Sequence, residues 1–203
     1  MLRKSALVPT VMLATAALFA GCSSSSSGKG RTAEPTVDKA GKTMARYRDQ
    51  LVEVIVDYKF ASRSLGDDWM ILNVAVTSSE SKAIEVRRGH VLVRTPDGRK
   101  IPLPPYPDFI AAYPEVQSAA RRAAVASDPI DFTMAGRQTC ALAFQPLPGT
   151  VASLESVFVN MRKICSGLLY FPVQGGIQPG NWEFIIEFEE FDARVPFEIE
   201  RPQ

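Results

Sequence analysis

The chain has 203 residues, with 23 Lys and Arg against 22 Asp and Glu, one histidine and a formal net charge of +1. A near-neutral chain lacks the basic excess that marks nucleic-acid binding, so nucleic acid is excluded as the expected partner. One histidine and widely spaced cysteines do not supply the close nitrogen and sulfur ligands of a zinc site, and no metal or cofactor is implied.

The amino terminus carries its own signal. Leu2, Arg3 and Lys4 give a positive start. An apolar stretch from Ala6 to Ala20 follows, interrupted by Pro9, Thr10 and Thr15. It is too short and too broken for a membrane-spanning helix and reads as an export leader. Its end, Phe19-Ala20-Gly21-Cys22, resembles the lipobox of bacterial lipoproteins, with Phe19 where that family most often has Leu. The resemblance covers only the leader. It implies that residues 1–21 are a signal peptide, that the Cys22 thiol receives a diacylglycerol, and that the new amino terminus is acylated by a chain such as palmitate. Removal of Arg3 and Lys4 leaves 21 basic and 22 acidic residues, a mature net charge of about −1. The partner implied is therefore the lipid bilayer, engaged through acylated Cys22 at roughly 0.8 kcal/mol per buried CH₂. Ser23 stands where an aspartate would signal inner-membrane retention. The family resemblance thus points to the outer membrane facing the periplasm in a Gram-negative host, or otherwise to the cell surface.

Residues 22–50 read as the lipidated cysteine followed by a flexible tether. Ser23 to Ser27 form a serine run, Gly28, Lys29 and Gly30 follow, and apolar residues stay sparse until Leu51. Such a segment buries too little surface to fold alone. About 28 coil residues span roughly 30 Å on average and about 95 Å when stretched. A short helix over Thr43–Gln50 would place Met44, Tyr47 and Leu51 on one face.

Residues 51–203 have the length of one domain. Val52, Val54, Val56, Tyr58 and Phe60 alternate with polar and apolar neighbours and predict a strand. Met70, Leu72, Val74 and Val76 predict a second. A third starts at Ile84 and Val86, breaks at Arg87-Arg88-Gly89, where a bulge is expected, and resumes at Val91 and Val93. Thr95-Pro96-Asp97-Gly98 has turn chemistry and predicts a hairpin returning over Arg99–Leu103. Pro102, Pro104, Pro105 and Pro107 then exclude a central strand. From Asp108 the spacing of Phe109, Tyr113, Val116, Ala120 and Ala123 is helical. Pro114 predicts a kink or a pair of short helices, and Ser127-Asp128-Pro129 a stop. Short strands follow over Gln138–Phe144, Ser156–Asn160 and Leu168–Val173. Two more over Trp182–Phe188 and Phe191–Ile199 alternate cleanly, with Pro196 marking the last as an edge. The fold class is mainly β, an immunoglobulin-like β-sandwich of eight or nine strands with a helical insertion at about 106–127. Cys140 and Cys165, an even pair in an exported body, read as a disulfide; the alternative is two buried free thiols.

Few residues suggest chemistry. His90, beside Arg87 and Arg88, would make a cationic spot for a carboxylate or phosphate, against the simpler reading of solvated strand charges. The acidic runs Gly66-Asp67-Asp68 and Glu187-Phe188-Glu189-Glu190 read as a turn and a solvated strand end. Gly175-Gly176 and Pro179-Gly180 are backbone punctuation, because no Lys-Ser or Lys-Thr follows as a phosphate loop requires. Tyr106, Phe109, Tyr113, Arg121 and Arg122 would form a partner-binding patch, aromatics and arginine being enriched at binding hot spots. The competing reading has the aromatics closing the core. No catalytic residue stands out. The function expected is a membrane-anchored envelope lipoprotein acting as a non-enzymatic binding, scaffolding or assembly module, with a protein partner in the envelope. The alternatives are an envelope hydrolase with an unrecognised site and an edge strand that pairs with a partner. Cys22→Ser is expected to abolish fatty-acid labelling and to release the protein from membranes or leave it unprocessed; labelling that persists in the variant would count against the anchor.

Overall fold

The computed structural model describes residues 34–126, 130 and 136–201. The leader, Cys22, the serine run and the helix stop at Ser127-Asp128-Pro129 lie outside the described residues. What is described is mainly β, a sandwich with a helical insertion. Twelve strands occur among the described residues.

The larger sheet has six strands, in the order β1 (Thr36–Lys39), β2 (Met44–Arg48), β3 (Val52–Asp57), β4 (Trp69–Ser78), β10 (Lys163–Pro172) and β8 (Gln138–Ala141). The smaller sheet has four, β12 (Asp192–Ile199), β11 (Gly180–Glu187), β6 (Val91–Arg94) and β7 (Lys100–Pro102). A separate ribbon pairs β5 (Ile84–Arg87) with β9 (Ser156–Val159). Between the two large layers lies one apolar core, with Val54, Val56, Leu72, Val74 and Phe171 on one side and Val93, Phe184, Ile186 and Val195 on the other. Ring pairs cross the layers: Phe171 meets Phe184 edge-on at 6.4 Å, and Tyr58 stacks on Phe197 at 4.9 Å.

The larger sheet is also covered on its outer face. Helix α2 (Tyr106–Ala126) lays Phe109, Val116, Ala120 and Ala123 over Ile71 and Tyr170. Ala120 and Ala123, fully buried, let the helix approach closely. Ile130 covers Met44, Ile55, Ala75 and Ile164 on the same face.

Six local expectations need correction. The segment expected as tether already contains β1 and β2, with Met44, Ala45 and Tyr47 buried. Tyr47 donates to the Asp49 carboxylate at 2.6 Å, and the same carboxylate accepts the Leu51 and Val52 N–H groups at 2.7 and 2.8 Å, closing the β2–β3 turn. The expected Thr43–Gln50 helix is therefore strand β2, and the folded body starts well before residue 51. The alternation from Val52 ends at Asp57, whose Oδ1 accepts the Lys59 N–H at 2.9 Å and starts helix α1 (Lys59–Ser62). Phe60 thereby turns under α2. The expected bulge after Arg87 is a 3₁₀ turn over Arg88–His90. Pro114 does not divide the insertion, since α2 runs through it as one 21-residue helix. Phe109 before it and Val116 after it pack on the same surface, which offsets the one hydrogen bond that proline removes. Finally, β10 starts at Lys163 rather than Leu168, and pairs with β4 from Ile164 to Pro172.

Cys140 and Cys165 form a disulfide, with Cα atoms 4.4 Å apart. They are register partners in the parallel β8–β10 pair, so the bridge lies within one sheet instead of crossing between sheets as in antibody domains. In the chain-entropy model a loop of this size contributes about 3–4 kcal/mol. Gly176 has a stronger requirement than punctuation. Its φ is +77°, and a Cβ there would stand 2.5 Å from the Gly66 carbonyl oxygen. The two loops meet backbone to backbone through Gly66 N–H to Ile177 O and Ile177 N–H to Asp67 O.

Phe109→Ala is expected to destabilise by about 3–5 kcal/mol in chemical denaturation. Arg121→Glu with Arg122→Glu should stay within about 0.5 kcal/mol, because both arginines are exposed.

Candidate functional site

The surface is least complete around the β5–β9 ribbon. Val86, Val157 and Val159 point into the core. The register pairs Glu85 with Phe158, and Phe158 is 53% exposed. Val151, Leu154 and Met161, close by in sequence, are likewise exposed. On the β9 side is a shallow groove of about 430 Å³, lined by Val151, Leu154, Phe158, Lys163 and the Cys140–Cys165 bridge.

On the β5 side a cleft of about 400 Å³ separates the ribbon from the tip of the β11–β12 hairpin. The tip is built by its sequence. Phe188 N–H donates to Phe191 O at 2.8 Å, which leaves Glu189 and Glu190 at the turn. The two phenylalanine rings stack at 4.7 Å. With Leu51 and Ile84 they give the cleft its apolar lining. Charges surround it. Arg87 binds Glu85 at 2.7 Å and reaches Glu189 at 3.8 Å, tying the ribbon to the hairpin tip. Lys100 pairs with Glu187 at 3.0 Å. His90 Nδ1 lies 3.0 Å from the Glu187 carbonyl oxygen. A carbonyl only accepts, so Nδ1 carries the proton in that contact. The hydrogen bond from Arg87, and then one from Ser156, hold the Glu85 carboxyl below the ordinary glutamate value.

The expected cationic spot does not exist in that form. Arg87 is committed to carboxylates, and Arg88 binds Glu155 through Nε and Nη2 at 3.2 and 2.6 Å. The expected patch on the insertion is brought together in part. Phe109 is buried against Tyr170 at 4.8 Å, with Tyr113 at 5.9 Å and Tyr106 at 6.3 Å. Burial, and then Tyr113, push the Tyr170 hydroxyl up from its ordinary value. Arg122 stands over the Phe60 ring at 6.0 Å, and Arg121 is exposed. The aromatics of this group close the core. Asp67 and Asp68 sit in the loop that meets Gly176 and Ile177. Glu187-Phe188-Glu189-Glu190 is not merely a solvated strand end, because it forms one wall of the cleft.

Among the described residues no group of three or more His, Cys, Asp or Glu is placed to hold a metal ion. No described helix is long and apolar enough to cross a membrane.

The Glu85 carboxyl should titrate below the ordinary glutamate value by NMR, and Arg87→Ala should bring it back toward that value. A lowered folded-state pKa stabilises above the unfolded pKa. That contribution should disappear as pH falls through the lowered value. An unchanged Glu85 titration in the variant would contradict the pairing.

Compared with family models, with curated proteins and with solved structures, the chain matches none.

Proposed function

We propose that the protein is a membrane-anchored lipoprotein of the cell envelope whose sandwich domain is a non-enzymatic module for binding another envelope protein. The anchor is Cys22, read from the leader. The fourteen peptide steps from Cys22 to Thr36 give a reach of about 48 Å at most, half of what a tether to residue 50 would allow. The partner therefore meets the domain close to the bilayer.

The observation that carries the binding reading is the gathering of exposed apolar side chains at one place. Val151, Leu154 and Phe158 line one groove and are all more than 40% exposed. They belong to β9 and its flanking loops, while the Phe188–Phe191 stack lies across β5 in the adjoining cleft. Clustered exposed apolar surface with a polar surround marks interaction sites. The ribbon face is thus a better docking surface than the α2 patch, whose largest aromatic is spent in the core.

A photoreactive amino acid placed at Glu189 or at Phe158 in the native host should yield one adduct of the same mass, and the same residue at Arg121 should yield none. Adducts confined to Arg121 would return the site to the helix; the absence of adducts from both ribbon positions would refute the docking face.

A further inference from the structure

We infer that the segment received by the cleft between β5 and the hairpin tip is an extended stretch of the partner that carries apolar side chains flanked by lysine or arginine. This rests on the docking reading above and adds the chemistry of what docks.

Three observations meet here. The apolar lining, with Phe188 and Phe191 stacked, suits an apolar side chain. Carboxylates stand on both sides of the rim, matched on the β5 side by Lys82 and Arg87 and in excess at the hairpin tip. Glu80 stands ahead of β5 on one side, and Glu189 and Glu190 form the turn on the other. The local cations do not balance this rim. Arg87 serves Glu85 and Glu189, and Lys100 serves Glu187. Glu80 and Glu190 have no ion pair among the described residues, and Lys82 is the one unpaired lysine on the lining. Lining carboxylates therefore exceed lining cations even with Lys100 counted. Such a rim attracts cationic partners and repels anionic ones, acting mostly on encounter and specificity. The third observation is the backbone. Among the described residues β5 pairs only with β9, which leaves its other edge without a described strand, and β5 is the strand that lines the cleft. An unpaired edge accepts an extended segment by strand addition, with alternate side chains turned toward the apolar lining.

The test uses the full-length acylated protein in detergent and three labelled synthetic peptides of equal length, read by fluorescence anisotropy. One alternates lysine with phenylalanine, one alternates glutamate with phenylalanine, and one alternates lysine with serine. The lysine–phenylalanine peptide should bind at least tenfold more tightly than either control, and its affinity should fall between about 0.05 M and 0.3 M salt. Glu80→Gln with Glu190→Gln should weaken it about tenfold at unchanged melting temperature, since neither side chain has a structural partner. Phe188→Ala should weaken it whatever the salt. Equal binding of the glutamate peptide, or full affinity in the double glutamine variant, overturns the inference. If crosslinks still form at Glu189 and Phe158 in that event, the docking reading survives and only the chemistry assigned to the occupant falls. If those crosslinks are absent too, both fall.

Discussion

The pairing of β4 with β10 is the constraint on which the remaining architecture depends. These strands share an unbroken register from Ile164 opposite Thr77 to Pro172 opposite Trp69. Both of their faces are largely covered, with Asn73, Ser166 and Leu168 half-buried on the outer one. Met70, Leu72, Leu169 and Phe171 look into the sandwich, while Ile71 and Tyr170 look into the helix-covered layer. A strand buried on both sides has no water for its backbone or its polar side chains, so each must find a protein partner. The structure meets this locally. Thr77 donates to the carbonyls of Asn160 and Lys163. Where β8 stops, buried Gln145 takes over as a substitute strand, accepting the Tyr170 N–H at 2.8 Å and donating to the Tyr170 carbonyl at 3.2 Å. The insertion helix is therefore a structural lid for the sheet.

Two-sided burial also explains which parts of the fold could be read from sequence. The last strand has one dry and one wet face, and its alternation is plain: Ala193, Val195, Phe197 and Ile199 are buried, and Arg194, Pro196 and Glu198 are exposed. The Thr95–Gly98 turn was equally legible, because Gly98 takes a positive φ of 89° and its N–H reaches the Thr95 carbonyl. β2 was not. Met44 faces one apolar layer, while Ala45 and Tyr47 face the other. Covered on both sides, it loses period-two contrast, and Met44, Tyr47 and Leu51 then happen to match a helical spacing. Phe60 misleads for a related reason: it continues the strand pattern by one step, but the Asp57 carboxylate, accepting the Lys59 N–H, has already turned the chain. The cysteine pair is legible from number and compartment alone, whereas the facing register of Cys140 and Cys165 is set by the fold.

The candidate site was less legible than the fold. Its cleft draws on Leu51, on the Glu80–His90 stretch and on the Glu187–Phe191 turn, which only the tertiary fold brings together. Charge was misleading in both directions. Arg87, Arg88 and His90 look cationic in sequence, yet Glu85 and Glu155 take up the arginines and the Glu187 carbonyl meets the histidine. Glu189 and Glu190 look like routine solvated charges, yet they stand beside two stacked phenylalanines. The available clue was an aromatic on each side of an acidic two-residue turn, where a hairpin tip has too few neighbours to bury both rings.

The placement of the ribbon has a physical logic. Two strands alone are marginal in water, so β5 and β9 owe their order to the residues they send into the core. Val86, Val157 and Val159 do this. Arg88 to Glu155 and Met161 N–H to Glu80 O fasten the two ends. The inward face is thus fixed by the same core that fixes β4 and β10. Among the described residues the outward face and one edge remain unfinished, with Phe158 exposed and no strand paired to the far side of β5. An exposed strand edge is ordinarily protected by charge or by proline, and here glutamates and Arg87 surround it. Charge of one predominant sign protects against self-pairing while leaving the edge open to a segment of opposite sign. A second copy of this chain would bring the same acidic excess, so the surround opposes edge-to-edge association between copies and is compatible with the basic segment proposed above.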